Sequence, residues 1–337
     1  MANLTISSNY EQSISFKQSV AEFFGMEVAI AAALTCVGLV MLCFGGNWLV
    51  SGGINIAKKL RISPLIIGMT VVAYGTSTPE LAASIAAAGE HGEIILGNVI
   101  GSNIANVGAV IGIAAIMAVL AVQKGTLRKE IPIMIGFSLL LVILSLDGEI
   151  SQYDGMLLIG SLIAFTIYTY RDTKKQIAKN QDTPTDSQKS PYLKSGGLIG
   201  IGVVLLGAGA WLTIQNAVIL AESFGLSERV IGITVIAIGT SLPELITSII
   251  AIRKGHTDIG VGNIIGSNIY NILMIMGVAA TISSIPVASN VFIDYMVMIG
   301  FSLCLLIGIK TGVINRTIGI GLTVAYFAYL AATFLVL

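Results

Sequence analysis

Two copies of one short motif each place a glutamate, a proline and small hydroxyl residues inside a long apolar run. The copies are Gly75-Thr76-Ser77-Thr78-Pro79-Glu80 and Gly239-Thr240-Ser241-Leu242-Pro243-Glu244. A charged side chain at membrane depth costs about 3 kcal/mol on insertion scales, so it is rarely incidental. The proline lacks a backbone donor and clashes with the carbonyl four residues earlier, which breaks a helix. Two such breaks at corresponding places in two halves predict an ion site at the midplane of a transporter.

The polar residues of each copy fall on a single stripe when the copy is drawn as a helix. A second motif follows each copy and places a serine and an asparagine four residues apart, again on one face. All of these side chains offer oxygen, and a hard cation such as Ca²⁺ takes about six to eight oxygen ligands. The candidate ligands are Thr76, Ser77, Glu80, Ser102 and Asn106 in the first half, and Thr240, Ser241, Glu244, Ser267 and Asn271 in the second. The two glutamates together carry a charge that matches one Ca²⁺ or two monovalent cations.

Structural roles remain open for some of these positions. The paired glycines of the second motif would let membrane helices pack closely whatever the function. Hydroxyl groups inside membrane helices usually bond to their own backbone. The amides Asn103 and Asn268 are interpreted as ties between broken helices and are left out of the ligand set. The glutamates are different, because a purely structural role for two buried carboxylates is rare at membrane depth.

The composition places the chain in a lipid bilayer. Of its 337 residues 55% are hydrophobic and 11% are charged, whereas a soluble domain carries about 25% charged residues. The formal net charge is zero, so nothing indicates a nucleic-acid partner. Because no nucleophile–base pair or nucleotide-binding loop accompanies the motifs, we expect that the protein is not an enzyme.

Ten apolar runs approach the roughly 20 residues that a membrane-spanning helix needs. They lie at about 27–54, 62–89, 94–122, 130–146, 155–170, 195–220, 226–252, 259–284, 290–309 and 314–336. These runs divide the chain into a polar N-terminal tail (1–26), a first repeat (27–170), a cytoplasmic linker (171–194) and a second repeat (195–337). The expected fold class is an all-α integral membrane protein with ten transmembrane helices, five in each repeat.

Basic residues give the expected orientation, because cytoplasmic loops carry an excess of lysine and arginine. Every lysine and arginine except Lys17 and Arg229 falls in a loop that follows an odd-numbered run. We therefore expect these loops to be cytoplasmic. Both termini are then extracytoplasmic, and the protein lies in the cell membrane.

The two halves of the chain are related by an internal repeat. Residues 65–84 and 229–248 share 12 identities in 20 positions, and residues 97–108 and 262–273 share 8 in 12. The second helix and its counterpart, the seventh, begin on opposite sides of the membrane in the expected topology. The sequence therefore predicts an inverted repeat, which is a common transporter plan.

At these motifs the chain resembles the cation/Ca²⁺ antiporter superfamily and is most similar to its prokaryotic sodium/calcium exchangers. The likeness covers essentially all of the chain after the N-terminal tail, and it implies the sodium/calcium exchanger fold. It also implies that Glu80 and Glu244 bind Ca²⁺. The implied Na⁺ ligands are the hydroxyls of Thr76, Ser77, Thr240 and Ser241 with the carbonyls of Ala73 and Ala237, and Ser102, Ser267 and Asn106 match further ligand positions. Exchangers of this family commonly have Asp at the position of Asn271.

The resemblance implies antiport of Na⁺ against Ca²⁺ by alternating access at one central site. Ca²⁺ and Na⁺ are then transported ions, and no resident cofactor is expected. The nearest alternative is H⁺/Ca²⁺ antiport through the same two glutamates. A passive cation channel is a further alternative, against which the two broken, repeated halves argue.

Overall fold

The computed structural model describes residues 2–88, 92–122, 126–179, 192–225, 237–307 and 312–336. Helices dominate these ranges, as the sequence predicts. In the first half the helices are α1 (Ala2–Leu60), α2 (Pro64–Thr76), α3 (Thr78–Ala87), α4 (Gly92–Ala105, continued by Asn106–Ile111 and Gly112–Met117), α5 (Ile131–Leu144, preceded by the π-helical turn Thr126–Glu130) and α6 (Gln152–Lys179). In the second half they are α7 (Tyr192–Ser223), α8 (Ala237–Thr240), α9 (Leu242–Arg253), α10 (Thr257–Tyr270, continued by Asn271–Met276 and Gly277–Ile282), α11 (Val291–Cys304, continued by Leu305–Ile307) and α12 (Arg316–Val336).

Helix α1 differs from the sequence-based expectation, because it begins at Ala2 and absorbs the predicted polar tail. The segment before Gly25 contains neither proline nor glycine. Without these two breakers, a polar segment joined to an apolar helix has no strong reason to leave the helical conformation. At the predicted linker (171–194), α6 continues to Lys179 and α7 begins at Tyr192. Residues 180–191 lie outside the described part of the chain.

Each repeated motif breaks its helix at the serine, as the prolines predict. Ser77 separates α2 from α3 with φ −85° and ψ 0°, and Ser241 separates α8 from α9 with φ −89° and ψ 2°. These angles lie in the sparsely populated bridge region. Pro79 and Pro243 occupy the first turn of the following helix, where a missing backbone N–H costs nothing. The glutamate therefore falls in the first turn of α3 and of α9.

Four short strands join the halves at the loops. Strand β1 (Leu120–Ala121) pairs antiparallel with β4 (Val313–Ile314), and β2 (Glu149–Ile150) pairs antiparallel with β3 (Ile285–Pro286). Each pairing takes one strand from the first half and one from the second. The internal repeat exchanges one pairing for the other, so the two halves are tied together twice in the same way.

Four helices in the described residues are long and apolar enough to cross a membrane by length and composition. Two of them, Ile94–Met117 of α4 and Thr257–Ile282 of α10, are 78% and 89% buried within the protein. The other two, Met26–Leu60 of α1 and Tyr192–Ser223 of α7, are 22% and 28% buried and pack chiefly against each other. The molecule is thus a membrane protein with α4 and α10 at its centre and the α1–α7 pair at its edge.

Candidate cation-binding site

The two motif glutamates meet in the interior of the molecule. Glu80 is 2% exposed and Glu244 is 1% exposed. Their carboxyl groups are close enough for their charges to repel each other. Two like charges side by side in a dry interior are unfavourable unless something neutralises them. A bound cation would do so.

Glu244 is held by hydroxyl groups from two different helices. Ser77 Oγ donates to Glu244 Oε1 at 3.3 Å, and Ser267 Oγ donates to the same oxygen at 3.5 Å. Ser77 lies at the break in the first half, whereas Ser267 lies on α10 in the second. The contact joins the halves and fixes the direction of the carboxylate.

Several buried oxygen atoms around the carboxylates lack a hydrogen-bond partner among the described residues. Within the described residues, Glu80 Oε2 and Glu244 Oε2 are buried and have no hydrogen-bond partner. The same is true, in the described part of the chain, of Asn106 Oδ1 and Asn271 Oδ1. Buried polar atoms without a partner are rare in native proteins and call for an explanation such as an ion. Carboxylate and amide oxygens are the ligands that Ca²⁺ prefers.

Thr76 is fully buried beside this group, and its hydroxyl lies among oxygen atoms of both halves. Its Oγ1 lies 3.2 Å from the carbonyl oxygen of Ala73, 3.2 Å from Asn263 Oδ1 and 3.4 Å from Ser267 Oγ. The carbonyl of Ala73 also accepts the backbone N–H of Ser77 at 3.0 Å. Thr76 and Ala73 therefore belong to the wall of the site in this structure.

Asn263 is a site residue that sequence reasoning missed. It is fully buried and donates from Nδ2 to Ser248 Oγ at 3.0 Å, while its Oδ1 faces Thr76. It therefore joins α10 to α9 and to α2 at the edge of the carboxylate pair. The available signal was its identity with Asn98 in the other copy of the second motif.

The remaining predicted ligands are placed less uniformly. Ser102 and Ser241 are buried, and Ser241 Oγ lacks a hydrogen-bond partner in the ranges that the structure covers. Thr240 is half-buried. Ala237 begins α8, directly after a stretch that lies outside the described residues. The structure thus brings the two glutamates, four serines and two asparagines into the interior, while Thr240 is only partly enclosed.

The two sides of the site are not packed alike. On one side α10 approaches α2 so closely that a Cβ on Gly266 would lie 2.6 Å from the carbonyl oxygen of Met69. At the corresponding Gly101 of α4, a Cβ would meet nothing within 4 Å in the described structure. Asn263 is likewise buried, whereas its counterpart Asn98 is half-buried. Within the described residues, the side of the site lined by α2 and α10 is closed, and α4 is less buried at the corresponding positions.

The site has two buried carboxylates at repeated helix breaks, with hydroxyl and amide oxygens around them. Inside a membrane protein, this arrangement is typical of a cation transporter. A family model described as "Sodium/calcium exchanger protein" matches residues 30–171 and 194–335. The chain therefore belongs to the sodium/calcium exchanger protein family, and it is a cation antiporter of this type rather than an enzyme. The resemblance predicted from the motifs is confirmed.

Relatives match over almost the whole chain. The chain is 34% identical over 312 residues to the inner membrane protein YrbG of Escherichia coli (strain K12), covering 90% of this chain and 96% of YrbG. It is 33% identical to the sodium/calcium exchanger MaX1 of Methanosarcina acetivorans, covering 91% and 99%. A solved structure of the sodium-calcium exchanger NCX_Mj superimposes with a TM-score of 0.78 at 32% identity, covering 91% of this chain and 99% of that one. The exchanger fold is thereby supported along the full length of the relatives.

Proposed function

We propose that the protein exchanges Ca²⁺ for Na⁺ across the cell membrane at a central site built on Glu80 and Glu244. The observation that carries the proposal is the pair of neighbouring, buried carboxylates, each with an oxygen that no described residue bonds. The names of MaX1 and NCX_Mj, both sodium/calcium exchangers, support the same two ions.

The proposed architecture has ten transmembrane helices in two inverted five-helix repeats, with both termini extracytoplasmic. Support comes from the equivalent breaks at Ser77 and Ser241 and from the strand pairings that the repeat exchanges. The distribution of lysine and arginine supports the orientation. The inner-membrane assignment of YrbG supports the cell membrane.

The proposed Ca²⁺ ligands are five of the buried side-chain oxygens that have no hydrogen-bond partner among the described residues. They belong to Glu80, Glu244, Asn106, Asn271 and Ser241. One oxygen from each gives five, and water can complete the six to eight that Ca²⁺ takes. For Na⁺ we propose smaller sites, formed where hydroxyl groups and backbone carbonyls lie next to the carboxylates. The first set of proposed Na⁺ ligands is Thr76, Ser77, Ser102, Ser267 and the carbonyl of Ala73. The repeat adds Thr240, Ser241 and the carbonyl of Ala237.

Exchange follows from the charge of this site. With both glutamates ionised and no cation bound, the site carries two negative charges where water is scarce, so a change of conformation is costly. One Ca²⁺ or a set of Na⁺ ions removes that cost, but the two cannot occupy the same oxygens together. Only loaded states then switch sides, which couples the two fluxes. With three Na⁺ per Ca²⁺, one net charge crosses per cycle, and about 2.3 kcal/mol per 100 mV is coupled to transport.

The unequal packing of the two sides fits a single state of an alternating-access cycle. Close contact of α10 with α2 blocks one route to the glutamates. In the opposite state we expect α4 to close in the same manner and α10 to open, because the repeat relates the two helices. The site then faces each side of the membrane in turn.

The test is ⁴⁵Ca²⁺ uptake into proteoliposomes loaded with Na⁺. We expect uptake when outside Na⁺ is low, and loss of that uptake when Na⁺ is equal on both sides, because the Na⁺ gradient supplies the driving force. The same vesicles without Na⁺ are given a pH gradient alone as the control. Uptake driven by the pH gradient would replace the proposal with H⁺/Ca²⁺ antiport, and uptake that ignores both gradients would replace it with a channel.

A further inference from the structure

Four buried asparagines form a closed set of hydrogen bonds across the two halves. We call this set the amide quartet; its members are Asn103 and Asn106 on α4 and Asn268 and Asn271 on α10, and each is 1% exposed. Asn106 Nδ2 donates to Asn268 Oδ1, and Asn271 Nδ2 donates to Asn103 Oδ1, both at 3.0 Å. Asn268 Nδ2 donates to the backbone carbonyl of Asn103, and Asn103 Nδ2 donates to that of Asn268, both at 3.4 Å.

Two backbone carbonyls fix the direction of the whole quartet. A carbonyl can only accept, so Asn268 must present its Nδ2 to the Asn103 backbone and its Oδ1 to Asn106. Asn106 must then present its Nδ2 to Asn268, which leaves its own Oδ1 pointing elsewhere. The same sequence of steps runs from the Asn268 backbone through Asn103 to Asn271.

This arrangement leaves the side-chain oxygens of Asn106 and Asn271 without a hydrogen bond inside the quartet. Asn106 Oδ1 and Asn271 Oδ1 are buried and unbonded in the portion of the chain that the structure describes. Turning either amide over would place its oxygen against the oxygen of Asn268 or Asn103, which is repulsive. The quartet therefore leaves two buried oxygen atoms unbonded, on segments that pack against the helices carrying the glutamates: Asn271–Met276 contacts α3, and Asn106–Ile111 contacts α9.

The local backbone supports the same interpretation. Asn106 begins the π-helical segment Asn106–Ile111 of α4, and Asn271 begins the π-helical segment Asn271–Met276 of α10. π-Helical turns are rare and occur often at functional sites. In each helix the change of winding begins three residues after the quartet member that bonds to the opposite backbone, which is Asn103 in α4 and Asn268 in α10.

We propose that Asn103 and Asn268 are positioning residues, which hold the amide oxygens of Asn271 and Asn106 toward the bound cation. The inference rests on the proposed function and refines the interpretation of Asn103 and Asn268 as ties between helices. A tie requires only their bonds to each other's backbone. The quartet adds a bond from each to a ligand amide, as the outer partners of metal ligands do in other sites.

The two roles make different predictions for a double-mutant cycle. If Asn103 acts through Asn271, removing Asn103 matters only while Asn271 is present. We expect Asn103→Ala to weaken Ca²⁺ binding about tenfold, as loss of an outer partner does at other metal sites. In the Asn271→Ala background we expect Asn103→Ala to have no further effect. In the Asn106→Ala background we expect the full tenfold effect again, because Asn103 does not bond to Asn106.

The measurement is equilibrium ⁴⁵Ca²⁺ binding to the purified full-length protein in detergent, which requires no transport. The reciprocal cycle combines Asn268→Ala with Asn106→Ala, its bonded partner, where we expect no further effect. The control combines Asn268→Ala with Asn271→Ala, which it does not bond, where we expect the full effect. Additive effects in all backgrounds would show a general structural role and overturn the inference. If Asn103→Ala aggregates, Asn103→Leu replaces it, since leucine keeps the side-chain shape and lacks polar atoms; the same pattern is required of it.

Glu80→Gln separates failure of this inference from failure of the proposed function. If that variant loses Ca²⁺ binding while the asparagine cycles are additive, the glutamate site stands and only the positioning role falls. If Glu80→Gln binds Ca²⁺ as the unmodified protein does, the proposed function itself falls. The inference is supported when Glu80→Gln loses Ca²⁺ binding and two double mutants are non-additive, Asn103 with Asn271 and Asn268 with Asn106, while the crossed double mutants are additive.

Discussion

We expect Glu80→Gln and Glu244→Gln each to abolish Na⁺-dependent Ca²⁺ exchange in reconstituted vesicles. Glutamine keeps the size of the side chain and removes its charge, so the site holds one negative charge in place of two. One carboxylate does not balance Ca²⁺ in a buried site, where an unbalanced charge is strongly unfavourable. We expect the loss to exceed a hundredfold in initial rate, measured as ⁴⁵Ca²⁺ uptake into Na⁺-loaded vesicles.

The loss must come from the site and not from the fold. Each glutamine variant relieves the repulsion between two neighbouring carboxylates, so we expect its unfolding temperature without Ca²⁺ to equal or exceed that of the unmodified protein. Added Ca²⁺ should raise the unfolding temperature of the unmodified protein, because a ligand stabilises the state that binds it, and leave that of the variants unchanged. Glu149→Gln is the matched control, since Glu149 is exposed in a loop strand; it should exchange normally. Exchange that survives in either site variant would remove the basis of the proposal.

The site could be predicted from the sequence because a carboxylate at membrane depth has few roles other than binding a cation. A glutamate and a proline inside an apolar run are each costly, so their repetition already indicates a broken helix and a cation. The structure adds the way the halves interlock. Ser77 reaches Glu244 across 167 positions of the chain, and Asn106 reaches Asn268 across 162.

Such contacts depend on how two helices approach, which side-chain types alone do not specify. Asn103 and Asn268 illustrate the limit. Their position on the chain suggested a tie between helices, and they do bond to each other's backbone. Their second role, as partners of the unbonded ligand amides, is visible only when all four side chains are in place. The N-terminal tail is a different case: composition predicted only that it is polar, and the structure adds that it is helical from Ala2, in a segment without proline or glycine before Gly25.

The difference between the two sides of the site was not predictable, because the motifs are nearly identical in the two halves. Gly97 and Gly101 match Gly262 and Gly266 in sequence. Among the described residues, a Cβ on Gly262 or Gly266 would press against α2, whereas a Cβ on Gly97 or Gly101 would meet nothing within 4 Å. One chain in one state must break the symmetry of its repeat, and the sequence contains no information on which state that is.

The second large effect is expected for Gly266→Ala, which adds a side-chain atom on the closely packed side of the site. Its new Cβ would lie 2.6 Å from the carbonyl oxygen of Met69 and 2.7 Å from the Cβ of Ala73. Real Cβ atoms do not approach backbone this closely, so α2 and α10 must separate. Overpacking of this kind costs about 1–3 kcal/mol. We expect a lower unfolding temperature and strongly reduced Ca²⁺ binding, since Thr76 and Ser267 lie just beyond the contact.

Gly101→Ala is the matched variant at the equivalent position of α4, where the added Cβ meets nothing within 4 Å in the described structure. We expect its unfolding temperature to be unchanged or higher, since alanine is the better helix former, and its Ca²⁺ binding to be normal. Its turnover should nevertheless fall, because the opposite state requires α4 to close as α10 does here. Equal unfolding temperatures for the two variants would contradict the asymmetric packing. Normal turnover of Gly101→Ala would contradict the proposal that the two repeats exchange their packing during transport.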